Sequence, residues 1–164
     1  MSTNLMSWWK QFKPKACSVK LKAEDKRSVL AEIVTNLVSA GLLEASLEES
    51  TLRVLTSREE LASTGIGMGV AIPHVKIDGI DEALFCLSVH REGLDWAAVD
   101  GEPVQVLFTV LRPSEATDKH DPEVHLDMMR WVAGLARDSD FRSFACQAKT
   151  RTELVSLLKE MSPK

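Results

Sequence analysis

Between Asp25 and Ala40 the apolar residues Val29, Leu30, Ile33, Val34, Leu37 and Val38 recur at three- and four-residue intervals, with Gly41 directly after them. That spacing lines one face of an α-helix, and a glycine just past the last turn is a natural stop. Ser46 followed by Glu49 has the form of a capping box, and Leu52 and Leu55 continue an apolar stripe, so a second helix is expected to end before Ser63. From Ala83 to Val89 the period changes to two. Ala83, Phe85, Leu87 and Val89 alternate with Leu84, Cys86 and Ser88, the pattern of a strand covered on both faces. The turn signal Asp100-Gly101-Glu102-Pro103 precedes an apolar run from Val104 to Leu111, which reads as a central strand.

After Pro113 the pattern returns to helical. Asp121 can cap and Pro122 can open a helix carrying Val124, Met128, Trp131, Val132 and Leu135. Shorter helices are expected near Asp140 to Ala148 and Thr152 to Glu160, the last behind a Thr150/Glu153 capping box. Helices at both ends and strands in the middle predict helices packed over a mixed sheet.

Composition narrows this picture. With 164 residues, 45% of them apolar, the chain can bury one sizeable core. Only residues 1–15 look separable from a domain spanning 16–164. In that segment Leu5, Met6, Trp8, Trp9 and Phe12 are interleaved with Lys10, Lys13 and Lys15, which suits either a short membrane-surface helix or packing onto the domain or another protein. A formal net charge of -4 and a pI of 5.6 argue against nucleic acid as a partner. No apolar run approaches the roughly 20 residues of a membrane span, so no integral membrane segment is expected. The opening MSTNLMSWWKQFKPK lacks a secretory signal, so a cytoplasmic location is expected. Cys17, Cys86 and Cys146 are odd in number and widely spaced, as buried reduced thiols would be.

The densest chemical signal is Ser63-Thr64-Gly65-Ile66-Gly67-Met68-Gly69-Val70-Ala71-Ile72-Pro73-His74. Alternating glycines allow close backbone approach to a bulky group, but no Gly-Lys-Ser/Thr follows and Val70 breaks a dinucleotide fingerprint. Pro73 fixes the backbone just before His74 and biases Ile72 towards an extended form, a rigid mount for one imidazole. Such a ring is largely neutral near pH 7 and has a lone pair that can attack phosphorus. Ser63, Thr64 and the glycine amides, that of Gly65 included, could donate to phosphoryl oxygens. Residue types alone fit an ordinary half-buried histidine equally well. His120 and His125 lie among Asp118, Asp121, Glu123 and Asp127, but their five-residue spacing does not put both on one helical face, so no metal is expected. His90 reads as a polar loop residue.

These residues resemble the enzyme IIA domains of the bacterial sugar phosphotransferase system, in the class containing the fructose, mannitol and nitrogen-regulatory forms. The matching core is Arg58-Glu59, Ser63-Thr64-Gly65-Ile66-Gly67, Gly69-Val70-Ala71-Ile72-Pro73-His74 and Lys76. The likeness continues through Asp100 to Val104, Leu107-Phe108, His125-Leu126 and Thr152-Glu153-Leu154, over roughly residues 16 to 162. The resemblance implies an α+β fold, a three-layer α/β/α sandwich with a mixed sheet. It implies that His74 accepts a phosphoryl group from a histidine-containing phosphocarrier protein, with Arg58 and His125 orienting the group and the reactive ring, and with no cofactor. In transporting members the next acceptor is a cysteine of an enzyme IIB domain; in regulatory ones phosphorylation switches contacts with a target protein. The Ser-Thr-Gly-Ile-Gly loop looks closer to the nitrogen-regulatory and fructose forms than to the mannitol form, and a regulatory role is expected. The alternatives are a fructose-type IIA and an interaction module that keeps only the fold. Two positions depart from the family pattern: Met68 stands where Asn is usual, and Val75 where Gly follows the reactive histidine.

Overall fold

The structure, a computed structural model, describes residues 5–162. Two helices lead. α1 (Lys26–Ser39) is capped by the Asp25 carboxylate, which accepts from the Ser28 amide, and Gly41 follows in the left-handed region as expected. α2 (Glu48–Leu61) follows a short 3-10 turn at Ala45–Leu47. The capping box expected at Ser46 does not form. Ser46 lies inside the 3-10 turn with its hydroxyl directed at Glu44, and Leu47, which lacks a side-chain acceptor, occupies the cap position.

Five strands follow: β1 (Gly65–Gly67), β2 (Val70–Ala71), β3 (His74–Ile77), β4 (Leu84–Leu94) and β5 (Val104–Pro113). β5 is the spine, as its continuous apolar run predicted. β4 pairs with it antiparallel along one side. On the other side β2 and β3 pair with it in parallel, β2 at Val106 and Leu107 and β3 from Val110 to Pro113. They are two halves of one strand interrupted at Ile72-Pro73, and β1 pairs antiparallel with β2 on its far side. Proline has no amide hydrogen to give to the ladder, but its carbonyl still accepts from the Val110 amide at 2.9 Å, so the strand resumes at once with His74.

Three helices close the chain: α3 (Pro122–Arg137), α4 (Ser139–Gln147) and α5 (Arg151–Glu160). Asp121, Asp138 and Thr150 cap them through side-chain oxygens. The face of the sheet bearing Phe85, Leu87 and Phe108 meets α3 and α4, with Phe108 stacked on Phe141 of α4. α1 and α2 pack on β4 and β3, which completes a mixed sheet between helical layers. On α3 the inward stripe is His125, Met128, Trp131, Val132 and Leu135; Val124, expected on it, points outward.

Two expectations change. β4 runs five residues past Val89, so His90 is a buried strand residue whose Nε2 pairs with the Ala23 carbonyl at 2.8 Å, and not a loop residue. The segment that looked separable is built into the core. Trp8 and Phe12 are 5% and 1% exposed, Phe12 packs on Phe85, Phe108 and Trp131, and Trp8 meets Trp131 edge-on. Beyond it, Ser18 and Leu21 pair with Leu87 and Val89, so the outer edge of β4 is covered instead of open. Side chains of Leu5 and Met6 lie outside the described set. Among the described residues no helix is long and apolar enough to cross a membrane.

Candidate functional site

His74 opens β3 directly after the Ile72-Pro73 break that separates it from β2. His125 sits in the first turn of α3, where Pro122 and the Asp121 cap start the helix so that position 125 faces the sheet. The two meet with Nε2 3.5 Å from Nε2 and rings tilted by only 22°. Phe85 lies against His125 from the sheet, and His120 stands edge-on to it at 5.1 Å between centroids. His125 is 6% exposed, whereas His74 is half-buried and open to a partner from one side.

Burial pushes both rings down to about 4 from the usual 6.5. For His74 the next causes are the positive charges of Arg112, Arg58 and Lys76, in that order. For His125 they are His74, Arg112 and His120. Both imidazoles are therefore neutral near pH 7. Two neutral rings facing Nε2 to Nε2 share one hydrogen, so one nitrogen donates and the other offers a lone pair.

Arg58 lies in the last turn of α2, and its Nη1 donates to the Ala62 carbonyl at 2.7 Å. It thereby satisfies a free helix-end acceptor while its charge still reaches His74. The structure thus brings Arg58, His74 and His125 into one neighbourhood.

The three loop groups expected to donate to phosphoryl oxygens are engaged elsewhere. Ser63 Oγ donates to the Trp96 carbonyl at 2.7 Å and accepts from the Gly65 amide at 3.1 Å. Thr64 is buried; its hydroxyl donates to Glu59 and accepts from Trp96 Nε1, while its amide donates to Glu59 at 3.1 Å. A Cβ on Gly65 would stand 2.7 Å from that of Ala98, so glycine is needed there for packing. Ser63, Thr64 and Gly65 brace the loop in this state. The centre of the brace is Glu59, 7% exposed, which also pairs with Lys26 at 3.1 Å, and Lys26 lies over the Trp96 ring. Sequence reasoning placed Glu59 only in a motif, and no local signal pointed to Trp96.

Gly67, Met68 and Gly69 all have positive φ, at 95°, 60° and 77°. Position 68 is a left-handed one that Asn tolerates and Met does not favour, which explains the usual residue there. The Asp100 carboxylate accepts from the Met68 amide at 2.9 Å and anchors the turn. Val75 alternates inward from His74 and is buried, so its β-branched side chain fits the strand. Arg112, which no sequence signal singled out, acts on His74, His125 and His120 alike. Among the described residues no group of three or more acidic, cysteine or histidine side chains could hold a metal. Cys17 and Cys86 are buried with thiols pushed up by desolvation, as inert core thiols are.

A mixed sheet between helical layers, with a histidine pair at the break between β2 and β3, belongs to the enzyme IIA type of fold. A solved nitrogen regulatory protein, IIA-Ntr from Neisseria meningitidis, superimposes with a TM-score of 0.78 at 25% identity, covering 92% of this chain and 97% of that one. Enzyme IIA for mannitol from Escherichia coli, solved in complex with phosphorylated enzyme IIB, shares the fold at a TM-score of 0.66 and 15% identity, over 91% and 97% of the two chains. The nitrogen regulatory protein of Pseudomonas aeruginosa is 32% identical over 140 residues, which is 85% of this chain and 86% of that protein. Residues 10–161 match the family described as phosphoenolpyruvate-dependent sugar phosphotransferase system, EIIA 2, and the chain belongs to that family.

Proposed function

We propose that this protein is a cytoplasmic phosphohistidine carrier of the nitrogen-regulatory kind, with Nε2 of His74 as the acceptor. The observation that supports it most is the pair of neutral imidazoles meeting Nε2 to Nε2 at 3.5 Å, one ring half-open to a partner. The hydrogen of His74 resides on Nδ1, so its Nε2 lone pair accepts from His125 at rest and attacks phosphorus once the His125 Nε2–H turns to the incoming group. The donor is the phosphorylated ring of a histidine-containing phosphocarrier protein. One N–P bond forms at His74 as the donor's N–P bond breaks, and the donor ring leaves with the bonding pair. His125 then donates its Nε2–H to a phosphoryl oxygen, and Arg58 adds positive charge nearby. An imidazole of low basicity is a good leaving group, so the same environment favours onward transfer to an enzyme IIB or a regulatory target. Ser63, Thr64, Glu59 and Trp96 hold the loop that presents the ring.

The regulatory reading is favoured by relatives that match this chain over most of their own length and bear the nitrogen regulatory name. The sugar-transport reading is favoured by the fructose-specific EIIA component of Haloferax volcanii, 26% identical over 83% of this chain and 84% of that protein. Incubation with phosphoenolpyruvate and the general phosphotransfer proteins should add one acid-labile phosphoryl group. Loss of that group to an enzyme IIB supports transport, and retention until a target protein is captured supports regulation. No label at all leaves only an interaction module.

A further inference from the structure

Arg112 brings a cation to the histidine cluster without a counter-ion. In the parallel pairing of β3 with β5, His74 stands opposite Val110 and Lys76 opposite Arg112. Residues paired in register and those two apart project to one face, so His74, Lys76, Val110 and Arg112 share a face. With strands about 4.8 Å apart and a rise of about 3.3 Å per residue, the Cα atoms of His74 and Arg112 are about 8 Å apart. An arginine side chain spans that distance.

Its Nε is buried and has no hydrogen-bond partner, and no ion pair among the described residues includes it. Its charge bears on all three rings of the cluster, His74, His125 and His120. No carboxylate is among the groups acting on His74 or His125; only Asp121 acts on His120. A buried guanidinium nitrogen normally has an acceptor, because an unpaired donor loses its hydration for nothing in return. Of the three cations that act on His74, Lys76 is exposed and Arg58 already donates to Ala62. Arg112 alone of these keeps a buried, unused donor.

We propose that Arg112 is a phosphoryl-oxygen ligand: its guanidinium donates to the oxygens of the group in transfer to His74 and of the resulting phosphohistidine. This rests on the reading of His74 as acceptor. Arg112 gives up no proton and forms no covalent bond; it neutralises charge that the histidine pair, uncharged at pH 7, cannot. The same donor makes the unphosphorylated site a weak binder of inorganic phosphate.

Two measurements on the full chain test this. The first titrates inorganic phosphate into unphosphorylated protein and follows the imidazole C–H signals of His74 and His125. Saturable shifts are expected in the wild type, at least tenfold weaker affinity in Arg112→Gln, and partial retention in Arg112→Lys. The second follows phosphoryl transfer to His74, which should slow about a hundredfold in Arg112→Gln, as for loss of one charge-stabilising donor, and less in Arg112→Lys. Phosphate binding and transfer at wild-type levels in Arg112→Gln would overturn the proposal, as would equal losses in both variants accompanied by a fall in melting temperature. A wild type that takes no label on His74 refutes the carrier reading, and the phosphate titration still decides the anion site.

Discussion

Nε2 of His74 and Nε2 of His125 are 3.5 Å apart, and desolvation keeps both rings uncharged where free histidines would be partly protonated. Neither ring should titrate between pH 6 and 8 by NMR, and transfer to His74 should be flat over that range. Stability follows with a definite sign. Both rings have folded values near 4, below the usual 6.5, so the unfolded chain binds protons first as pH falls. Their contribution is whole above about pH 6.5 and is lost progressively as pH drops towards 4. Urea midpoints measured at pH 7 and pH 5 should differ, and the difference should shrink in His74→Gln.

Glu59 accepts from Lys26, the Thr64 amide and the Thr64 hydroxyl in a nearly buried position. Glu59→Ala strips all three donors of their acceptor at once. We expect a loss of about 2–4 kcal/mol in denaturant unfolding, with slowed labelling of His74 because the loop loses its anchor.

Phe12 lies in the segment that composition set apart, yet it is nearly inaccessible among Phe85, Phe108 and Trp131. Phe12→Ala should cost about 3–5 kcal/mol, and removal of residues 1–15 at least as much. With Trp8 and Phe12 turned inward, co-sedimentation with vesicles should not differ from that of a control without lipid.

Met68 holds a left-handed backbone at φ 60° between two glycines of positive φ. Met68→Gly or Met68→Asn should raise stability by about 0.5–1 kcal/mol, or a melting temperature higher by about 1–4 °C. A fall in stability would show that the Arg142 contact with the Met68 sulfur outweighs backbone strain.

Much of this architecture was legible because local chemistry dictated it. α1, β5 and the caps at Asp121 and Thr150 follow from periodicity and from side chains whose partners are two or three residues away. The glycine-rich motif pointed to His74 as the candidate, and family likeness joined it to Arg58 and His125. What escaped depended on distant partners. Ser63 and Thr64 look like free donors until Trp96 and Glu59 are folded against them, and Phe12 looks detachable until β4 offers it an edge. Arg112 sits in a strand like any edge-facing polar residue, and only the β3–β5 register turns it towards the histidines.

The central claim is that His74 carries the phosphoryl group on Nε2. Phosphorylation of uniformly nitrogen-15-labelled protein, followed by two-dimensional NMR of its imidazoles, tests this directly. The account predicts that the Nε2 resonance of His74 alone moves to the phosphohistidine range, and that His74→Ala takes no label while His125→Ala stays folded and labels slowly. A phosphoryl group found on His125 or His120, or undiminished labelling of His74→Ala, would contradict it.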